Sequence, residues 1–388
     1  MKDAVGNIYK EAENFESSHP DYPLEKYFDL CDVEKFKDFK YFVDSVNKRS
    51  EWQRGWRDDY EYKEYGLNPN VEFFHPMITY DDRMVYIMEN IVSLPNDRLS
   101  KYNKIGNTII SHFYGARGIH QIATATNDPT QAHVNFEDYF KSGERDRIRR
   151  NLEAAVEAKL PLYGTTELRT SLFGAANKYH ENRFPNEDRI HPGNIMDWVA
   201  GLLEDGLSDD FHASNSAEET FNILTKNVGI GSYYGYHCTT SNSVNPNLNW
   251  DNDSLFVKPG PGAQYTLRLV FPNANNKLIT SGDLVVWFRH NQKFFGFGDV
   301  VINENALNVY DYKGDPILSS PQNDLKTYSS EVGLCQYGIF CKIRNDNKAI
   351  DRRKISRTEG IDFKNVIESA KKVKYLRDNS ITLESFMG

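Results

Sequence analysis

The chain has 388 residues, of which 39% are hydrophobic, and its 46 basic and 55 acidic side chains give a formal net charge of −9. This length and apolar content suffice for a buried core, which excludes an intrinsically disordered chain. The negative charge excludes a protein that coats DNA through bulk electrostatic attraction, because phosphate neutralisation is the main source of such affinity. Any contact with nucleic acid must therefore be local.

Helical periodicity dominates the chain up to about residue 265. Residues 1–65 are rich in charged and aromatic side chains and predict a loosely patterned helical region. Apolar side chains then share a helical face in two stretches: Met84, Ile87, Met88 and Ile91, and later Ile195, Val199, Leu202 and Leu203. Another predicted helix carries four arginines, which either contact nucleic acid or form a solvated face: Arg145, Arg147, Arg149 and Arg150.

Residues 216–242 predict two helices joined by a short turn. Ser216 and Glu219 have the spacing of a capping box, and a helix of about ten residues follows. The turn contains Gly229 and Gly231, and the second helix begins at Ser232 and Tyr233. Such a turn frees backbone N–H groups whose partial positive charge can hold a DNA phosphate, although most Gly-x-Gly pairs are ordinary turns. The tyrosines that follow suit either base stacking or helix packing.

Two aspartates follow this turn at a suggestive distance. Asp251 lies 20 residues after Gly231 and Asp253 lies 22 residues after it. Helix-hairpin-helix DNA glycosylases keep their catalytic carboxylate at a similar spacing. A carboxylate beside a flipped nucleotide can stabilise positive charge that develops during the reaction. Asp253 is therefore our first candidate for a catalytic residue and Asp251 our second; the alternative is that both acids only cap the turn before Ser254.

The segment Pro259-Gly260-Pro261-Gly262-Ala263 is a second candidate for ligand contact. Gly260 and Gly262 would let the backbone approach a ligand closely. A helix predicted to begin near Gly262 would point its free N–H groups at the same anion. Lys258, just before this segment, either contacts phosphate or pyrophosphate or is simply solvated.

The sequence pattern changes after residue 265. The runs 284–288 and 300–302 are rich in β-branched and aromatic side chains, and periodicity does not decide between a small sheet and buried helices. Twelve basic and five acidic residues between Cys341 and Arg377 give a local charge of +7. This basic segment is either a nucleic-acid-binding tail or a solvated helix face.

Several motif classes are missing from the sequence. The cysteines Cys31, Cys238, Cys335 and Cys341 form no Cys-x-x-Cys pair, which predicts reduced thiols without a zinc ribbon or a disulfide scaffold. No Gly-x-x-x-x-Gly-Lys-Ser/Thr segment and no zinc-deaminase signature occur, and the histidines lack metal spacing. The amino terminus is polar, and no apolar run could cross a bilayer. We therefore expect no metal, no cofactor and no membrane partner, and a cytoplasmic location.

Three separated segments resemble one family. Residues 74–87, the helix containing Gly235-Tyr236-His237, and residues 259–263 are similar to motifs of the phage α-glutamyl/putrescinyl thymine pyrophosphorylases, or amino acid:DNA transferases. Their helical fold also accompanies hydroxymethyluracil DNA kinases and the glycosylases associated with TET/JBP oxygenases. The resemblance runs from about residue 70 to 345 and implies a helix-hairpin-helix DNA-glycosylase-like helical bundle. Together with the composition of the chain, it predicts a mainly α protein in three parts: a helical amino-terminal region, 1–65, this bundle, 66–345, and a basic helical extension, 346–388. The β-branched and aromatic runs leave a small β element after residue 275 open.

The resemblance also implies a reaction on a flipped, hydroxymethyl-derived pyrimidine in DNA. An amine would replace an activated leaving group on the 5-methylene, so the partners would be DNA and a small amine or amino acid, in a bacterial or phage-infected cell. The family's acids are replaced here by Ser241 and Gln336, and Tyr233 stands where strand-cleaving glycosylases keep a lysine. Two alternatives therefore stay open: a monofunctional glycosylase that excises hypermodified bases, for defence against phage, and an inactive DNA-binding member.

Overall fold

The computed structural model describes residues 15–53, 81–114, 133–157, 170–187, 191–226, 230–250, 255–274, 278–297, 311, 313–315 and 325–345. Every regular element in these ranges is helical and none is a strand, which confirms the predicted mainly α class. No helix in them combines the length and the apolar character that a bilayer crossing requires. The residues group into two compact units, the first within Met1–Val85 and Asn252–Asp351 and the second within Tyr86–Asp251 and Arg352–Gly388.

The helices of the described ranges are numbered here in chain order. The amino-terminal half contains α1 Val33–Gln53, α2 Asp82–Ile87 with a π-helical turn Met88–Val92, α3 Lys101–Phe113, α4 Glu144–Glu157, α5 Thr170–Arg183 and α6 Asn194–Glu204. The remainder contains α7 Leu207–Ala213, α8 Ala217–Lys226, α9 Ser232–Asn242, α10 Pro261–Val270, α11 Ser281–Asn291 and α12 Thr327–Asn345.

Aromatic side chains form the core of the first unit. Phe36 and Phe39 lie one turn apart on α1, and both are fully buried. The Phe36 ring stacks 4.2 Å from the ring of Phe295, and the Phe39 ring lies 5.3 Å from that of Tyr337 on α12. The helical prediction for the aromatic amino-terminal region is therefore confirmed over Val33–Gln53, and its rings pack on later parts of the chain. The domain boundaries at residues 65 and 345 stay predictions.

The β element expected after residue 275 is not present at residues 284–288. These residues lie in α11, and all five are buried. Thr280 and Asp283 form a capping box that starts this helix just before the run. Because the segment is buried on all sides, apolar residues occupy every position of it. The sequence therefore has no alternation of apolar and polar residues that could distinguish a buried helix from a buried strand. The second run, 300–302, lies outside the described residues.

Helix α3 lies at the centre of the second unit. Eleven of its thirteen residues are buried, and Ile105, Ile109 and Phe113 are fully covered by the surrounding helices. Gly106 leaves room for the ring of Phe136, since a Cβ atom there would lie 2.4 Å from it. The apolar face predicted on α6 is confirmed, with Ile195, Val199 and Leu203 buried and Leu202 packed at the edge of this core. All four residues of the other predicted face, Met84, Ile87, Met88 and Ile91, are buried as well.

A buried ion-pair network joins α4 and α6 in the second unit. The fully buried carboxylate of Asp197 accepts hydrogen bonds from Arg145 at 2.9 and 3.0 Å, from Arg149 at 2.9 Å and from the Tyr139 hydroxyl at 3.0 Å. Arg145 also makes a two-point contact with Glu187 at 2.6 and 2.9 Å. These hydrogen bonds from Arg145 lower the pKa of Glu187 to about 2.

The sequence left two roles open for the four arginines of α4, contact with nucleic acid or a solvated helix face. The ion pairs within the protein engage three of the four. Arg145 and Arg149 are used inside the network, and Arg147 pairs with Glu144 one turn away at 2.5 Å. Only Arg150 of the four is exposed. The cluster therefore holds helices together, and most of its charge is neutralised within the protein.

Candidate functional site

Helices α8 and α9 flank the Gly-x-Gly segment, as the sequence predicts. The first ends at Lys226 and the second begins at Ser232, with Gly231 as its N-terminal cap residue. Gly231 has a φ of −72° and a ψ of 167°, and its carbonyl accepts the Gly235 N–H at 2.9 Å. Gly229 lies outside the described residues, so the helix-hairpin-helix assignment itself stays a prediction.

The start of α8 follows the predicted capping pattern with one difference. The Ser216 hydroxyl accepts the Glu219 N–H at 3.2 Å, as a capping box requires. The Glu219 carboxylate accepts the N–H of Asn215 at 2.6 Å, one residue before the expected one. Both side chains of the cap are therefore hydrogen-bonded to backbone N–H groups, which fixes the position at which α8 begins.

Gly235 lets the two helices approach each other closely. A Cβ atom at this position would lie 2.8 Å from Cγ2 of Thr225 and 3.4 Å from the ring of Phe221, both on α8. Side chains of α8 therefore fill the space beside Gly235. Gly235 therefore fixes the packing of the helix pair that carries the turn.

The tyrosines of α9 differ in their exposure to solvent. Tyr234 and Tyr236 are 6% and 2% exposed and pack in the interior, whereas Tyr233 is 39% exposed. Gly231 and Ser232 are exposed beside Tyr233, and the first turn of α9 contains no acidic residue. The helix thus presents an aromatic ring and a positive dipole end on the surface of the second unit.

Two further side chains on the same face of α9, those of His237 and Ser241, continue inward from Tyr233. The ring of His237 lies 4.2 Å from that of Tyr233, and the His112 ring of α3 stacks on His237 at 6.1 Å. One turn further, the buried Ser241 hydroxyl shares a short hydrogen bond with Nε2 of His112. We call Tyr233, His237, Ser241 and His112 the polar column.

The sequence shows only that the histidines lack metal spacing, and it does not single out His112. The signal within α9 is the four-residue spacing of Tyr233, His237 and Ser241, which places them on one helical face. His112 carries no such signal, because it is 129 residues from Ser241 and reaches it only through helix packing. Ser241, where the resembling family has an acid, here gives the histidine a neutral partner.

Helix α10 begins at Pro261 within the Pro-Gly-Pro-Gly-Ala segment, close to the predicted start. Gly262 packs against α12 in the same unit, since a Cβ atom there would lie 2.5 Å from Sγ of Cys335. Gly338 of α12 packs against Gly262 in turn, since a Cβ atom on Gly338 would lie 2.6 Å from the Gly262 carbonyl oxygen. Gly262 therefore has a packing role that requires no ligand, whereas Lys258 is exposed.

Glu331 of α12 lies buried beneath this segment and was not anticipated. Its carboxylate accepts the N–H of Gly260 at 2.9 Å, just before α10 begins. Burial raises the pKa of Glu331 to about 7, and the hydrogen bond from Gly260 only partly offsets this. Glu331 thus binds the backbone N–H of Gly260, in the segment that the sequence suggests for ligand contact.

Asp251 and Asp253 lie outside the described residues, as does the basic segment from residue 346 onward. Their proposed roles stay predictions. Among the side chains that the structure does describe, no group of three or more histidine, cysteine or acidic residues is placed to hold a metal ion.

Comparison with known proteins gives one match. A family model described as the 5-hmdU DNA kinase, helical domain, matches residues 128–336. No curated protein and no solved structure matches the chain. The matched residues are more than half of the 388-residue chain and include α8, α9, the Pro-Gly-Pro-Gly-Ala segment and α10. The chain therefore belongs to the family of the 5-hmdU DNA kinase helical domain.

Proposed function

We propose that this protein modifies a flipped, 5-hydroxymethyl-derived pyrimidine in DNA. The observation that carries the proposal is the family match over residues 128–336, whose description names 5-hmdU DNA. Phosphorylation of the base by this chain is disfavoured, because the sequence has no Gly-x-x-x-x-Gly-Lys-Ser/Thr segment to cradle a nucleotide. The protein instead acts on a base that already carries an activated group.

DNA contact is assigned to the beginning of α9. Gly231, Ser232 and Tyr233 are exposed there, and the helix dipole favours a phosphate at this end. A Cβ atom on Gly231 would meet no atom of the described residues within 4 Å, so these residues leave space for a ligand beside the backbone. Tyr233 supplies a ring for stacking on a base beside that phosphate. Gly229 belongs to the same proposed contact.

The proposed reaction replaces a leaving group on the 5-methylene carbon with an amine. The nitrogen lone pair forms the new C–N bond while the C–O bond to pyrophosphate breaks, and pyrophosphate leaves with that electron pair. The amine then releases one proton. We assign stabilisation of positive charge on the methylene to Asp253, with Asp251 as second choice. Lys258 and the backbone around Gly260 and Gly262 are assigned to the departing pyrophosphate.

A nucleoside assay tests this proposal. The protein is incubated with duplexes that contain thymine, hydroxymethyluracil, its pyrophosphate ester or a glucosylated pyrimidine, together with a mixture of amines and amino acids. Mass analysis should show an amine adduct only from the pyrophosphate ester. If the protein binds the DNA but the bases of every duplex stay unchanged, the proposed reaction is refuted. The protein would then be an inactive, DNA-binding member of the family.

The same samples separate the monofunctional glycosylase from the transferase. The spacing of Asp251 and Asp253 from Gly231 favours this alternative. Strand cleavage through a Schiff base would need a lysine amine, and Tyr233 occupies the position where strand-cleaving glycosylases have that lysine. A glycosylase would release the free base and leave alkali-labile abasic sites without an adduct. That result would replace the transferase assignment with excision.

A further inference from the structure

The polar column of the second unit joins an exposed surface to the interior. Tyr233 is 39% exposed at the start of α9, and His237 is half-buried one turn further along. Ser241 and His112 at the inner end are 0% and 3% exposed. An imidazole is therefore held one helical turn from the surface that we assign to DNA.

The inner end of the column is fixed by two helices. His112 comes from the central helix α3, and its Nε2 shares a hydrogen bond with the Ser241 hydroxyl. Its ring also lies against His237, at an interplanar angle of 29° and 6.1 Å between centroids. The Tyr233 ring meets His237 at its outer end, at 61° and 4.2 Å. His237 is thus held between two rings, so the packing restricts its orientation.

The column adds little net stability compared with an apolar column of the same size. Burying a polar side chain is unfavourable unless it is hydrogen-bonded, and even then the net gain is small. The rest of the α3 and α9 interface is built from residues such as Ile109, Phe113 and Tyr234. Two imidazoles and a hydroxyl in that setting indicate a chemical use for the column.

We propose that His237 is the general base of the reaction and that His112 and Ser241 position it. This inference rests on the proposed function of the same site. The imidazole of His237 accepts the proton that the attacking amine releases as the C–N bond forms and pyrophosphate departs. Among the described residues, the rings that lie against His237 are those of Tyr233 and Tyr236 of its own helix and of His112 of α3.

Replacement of His237 by alanine is the first test. Single-turnover adduct formation should fall about 10²- to 10⁴-fold, the usual contribution of a general base. DNA affinity, measured by fluorescence anisotropy, should change little. Added imidazole should restore part of the rate, because it can occupy the space of the missing ring. A rate equal to that of the wild type, or a loss that imidazole does not restore, would overturn the assignment.

His112 is tested by paired substitutions. His112→Gln keeps a hydrogen-bonding atom within reach of Ser241 and should retain the rate within a few-fold, whereas His112→Leu should lose about tenfold or more. Thermal unfolding of both variants shows whether the fold is intact. His212→Gln is the matched control, since His212 bonds the Ser208 carbonyl of its own helix at 2.6 Å. Equal rates for the two His112 variants would contradict the positioning role.

The outcomes separate this inference from the proposed function. An adduct with the wild type and an unchanged rate for His237→Ala would leave the function standing and remove His237 from the chemistry. If the wild type forms no adduct, histidine ring NMR with a hydroxymethyluracil duplex is the second measurement. A shift of the His237 signals, assigned with the His237→Ala variant, would keep the residue at the DNA site, and their absence would end the inference.

Discussion

Glu331 is a carboxylic acid that burial keeps partly protonated near neutral pH. Its pKa is raised from 4.5 to about 7, so the folded protein binds a proton more tightly than the unfolded chain does. The resulting cost to stability is absent below pH 4.5, grows between pH 4.5 and 7, and is constant above pH 7. The full cost is on the order of 3 kcal/mol.

Glu331→Gln should therefore stabilise the protein at pH 8 and have little effect near pH 4.5. The amide oxygen can still accept the Gly260 N–H, so the hydrogen bond is preserved. Urea unfolding at several pH values measures the difference in free energy. Glu34→Gln, which changes an exposed acid on α1, is the control. A stabilisation that is the same at pH 4.5 and pH 8 would contradict the shifted pKa.

Gly231 and Gly262, which we assign to ligand contact, differ in what surrounds them. Gly262→Ala places a methyl group 2.5 Å from Sγ of Cys335, and we expect it to destabilise the protein by about 1–3 kcal/mol. Gly231 has a negative φ, and a methyl group there would meet none of the described residues, so Gly231→Ala should leave the unfolding temperature unchanged. If a phosphate binds against Gly231, its DNA affinity should nevertheless fall about fivefold.

These two measurements are informative because they are independent. Unfolding experiments report the packing of α10 on α12, and anisotropy reports the approach of DNA to α9. Unchanged DNA affinity in Gly231→Ala would argue against backbone contact at this turn. Unchanged stability in Gly262→Ala would mean that α10 and α12 can separate enough to admit a methyl group.

At the scale of elements, the Asp197 network is a buried polar connection between α4 and α6 of the second unit. Asp197→Asn removes the negative charge that Arg145 and Arg149 share and leaves both cations partly buried. We expect a loss of about 3–5 kcal/mol, because breaking a buried ion pair strands the remaining charge. Chemical denaturation at pH 7 measures it.

The exposed pair Arg183–Glu204 provides the comparison for this prediction. Its side chains are 37% and 36% exposed at a distance of 2.8 Å, so Glu204→Gln should cost at most about 1 kcal/mol. A similar cost for the two substitutions would mean that water reaches Asp197. The arginines of α4 would then be available for other partners.

At the scale of the whole molecule, the sequence predicted what local patterns determine. The capping residues and the glycine turn place α8 and α9 correctly, and the apolar period of Ile195, Val199 and Leu203 identifies the buried face of α6. The segment 284–288 could not be resolved because it is buried on all sides. The contact of His112 with Ser241 and that of Glu331 with Gly260 join residues that are distant in sequence, so only the packing of helices reveals them.

The family match covers sequence from both units. Residues 128–336 include the α8 and α9 pair of the second unit and the Pro-Gly-Pro-Gly-Ala segment of the first. Asp251 and Asp253 lie in the sequence between these two motifs. The proposed chemistry therefore depends on a short stretch of chain that connects the two most distinctive motifs.

Asp253→Asn tests that dependence directly. A neutral amide cannot stabilise a cationic methylene, so adduct formation should fall by at least about 10²-fold. Asp251→Asn should reduce it less, and Asp210→Asn, which changes an exposed acid of α7, should leave it unchanged. Unfolding temperature and DNA affinity should be those of the wild type in all three variants. A greater loss for Asp251→Asn than for Asp253→Asn would reverse the two assignments, and full activity in both would move the carboxylate role away from this segment.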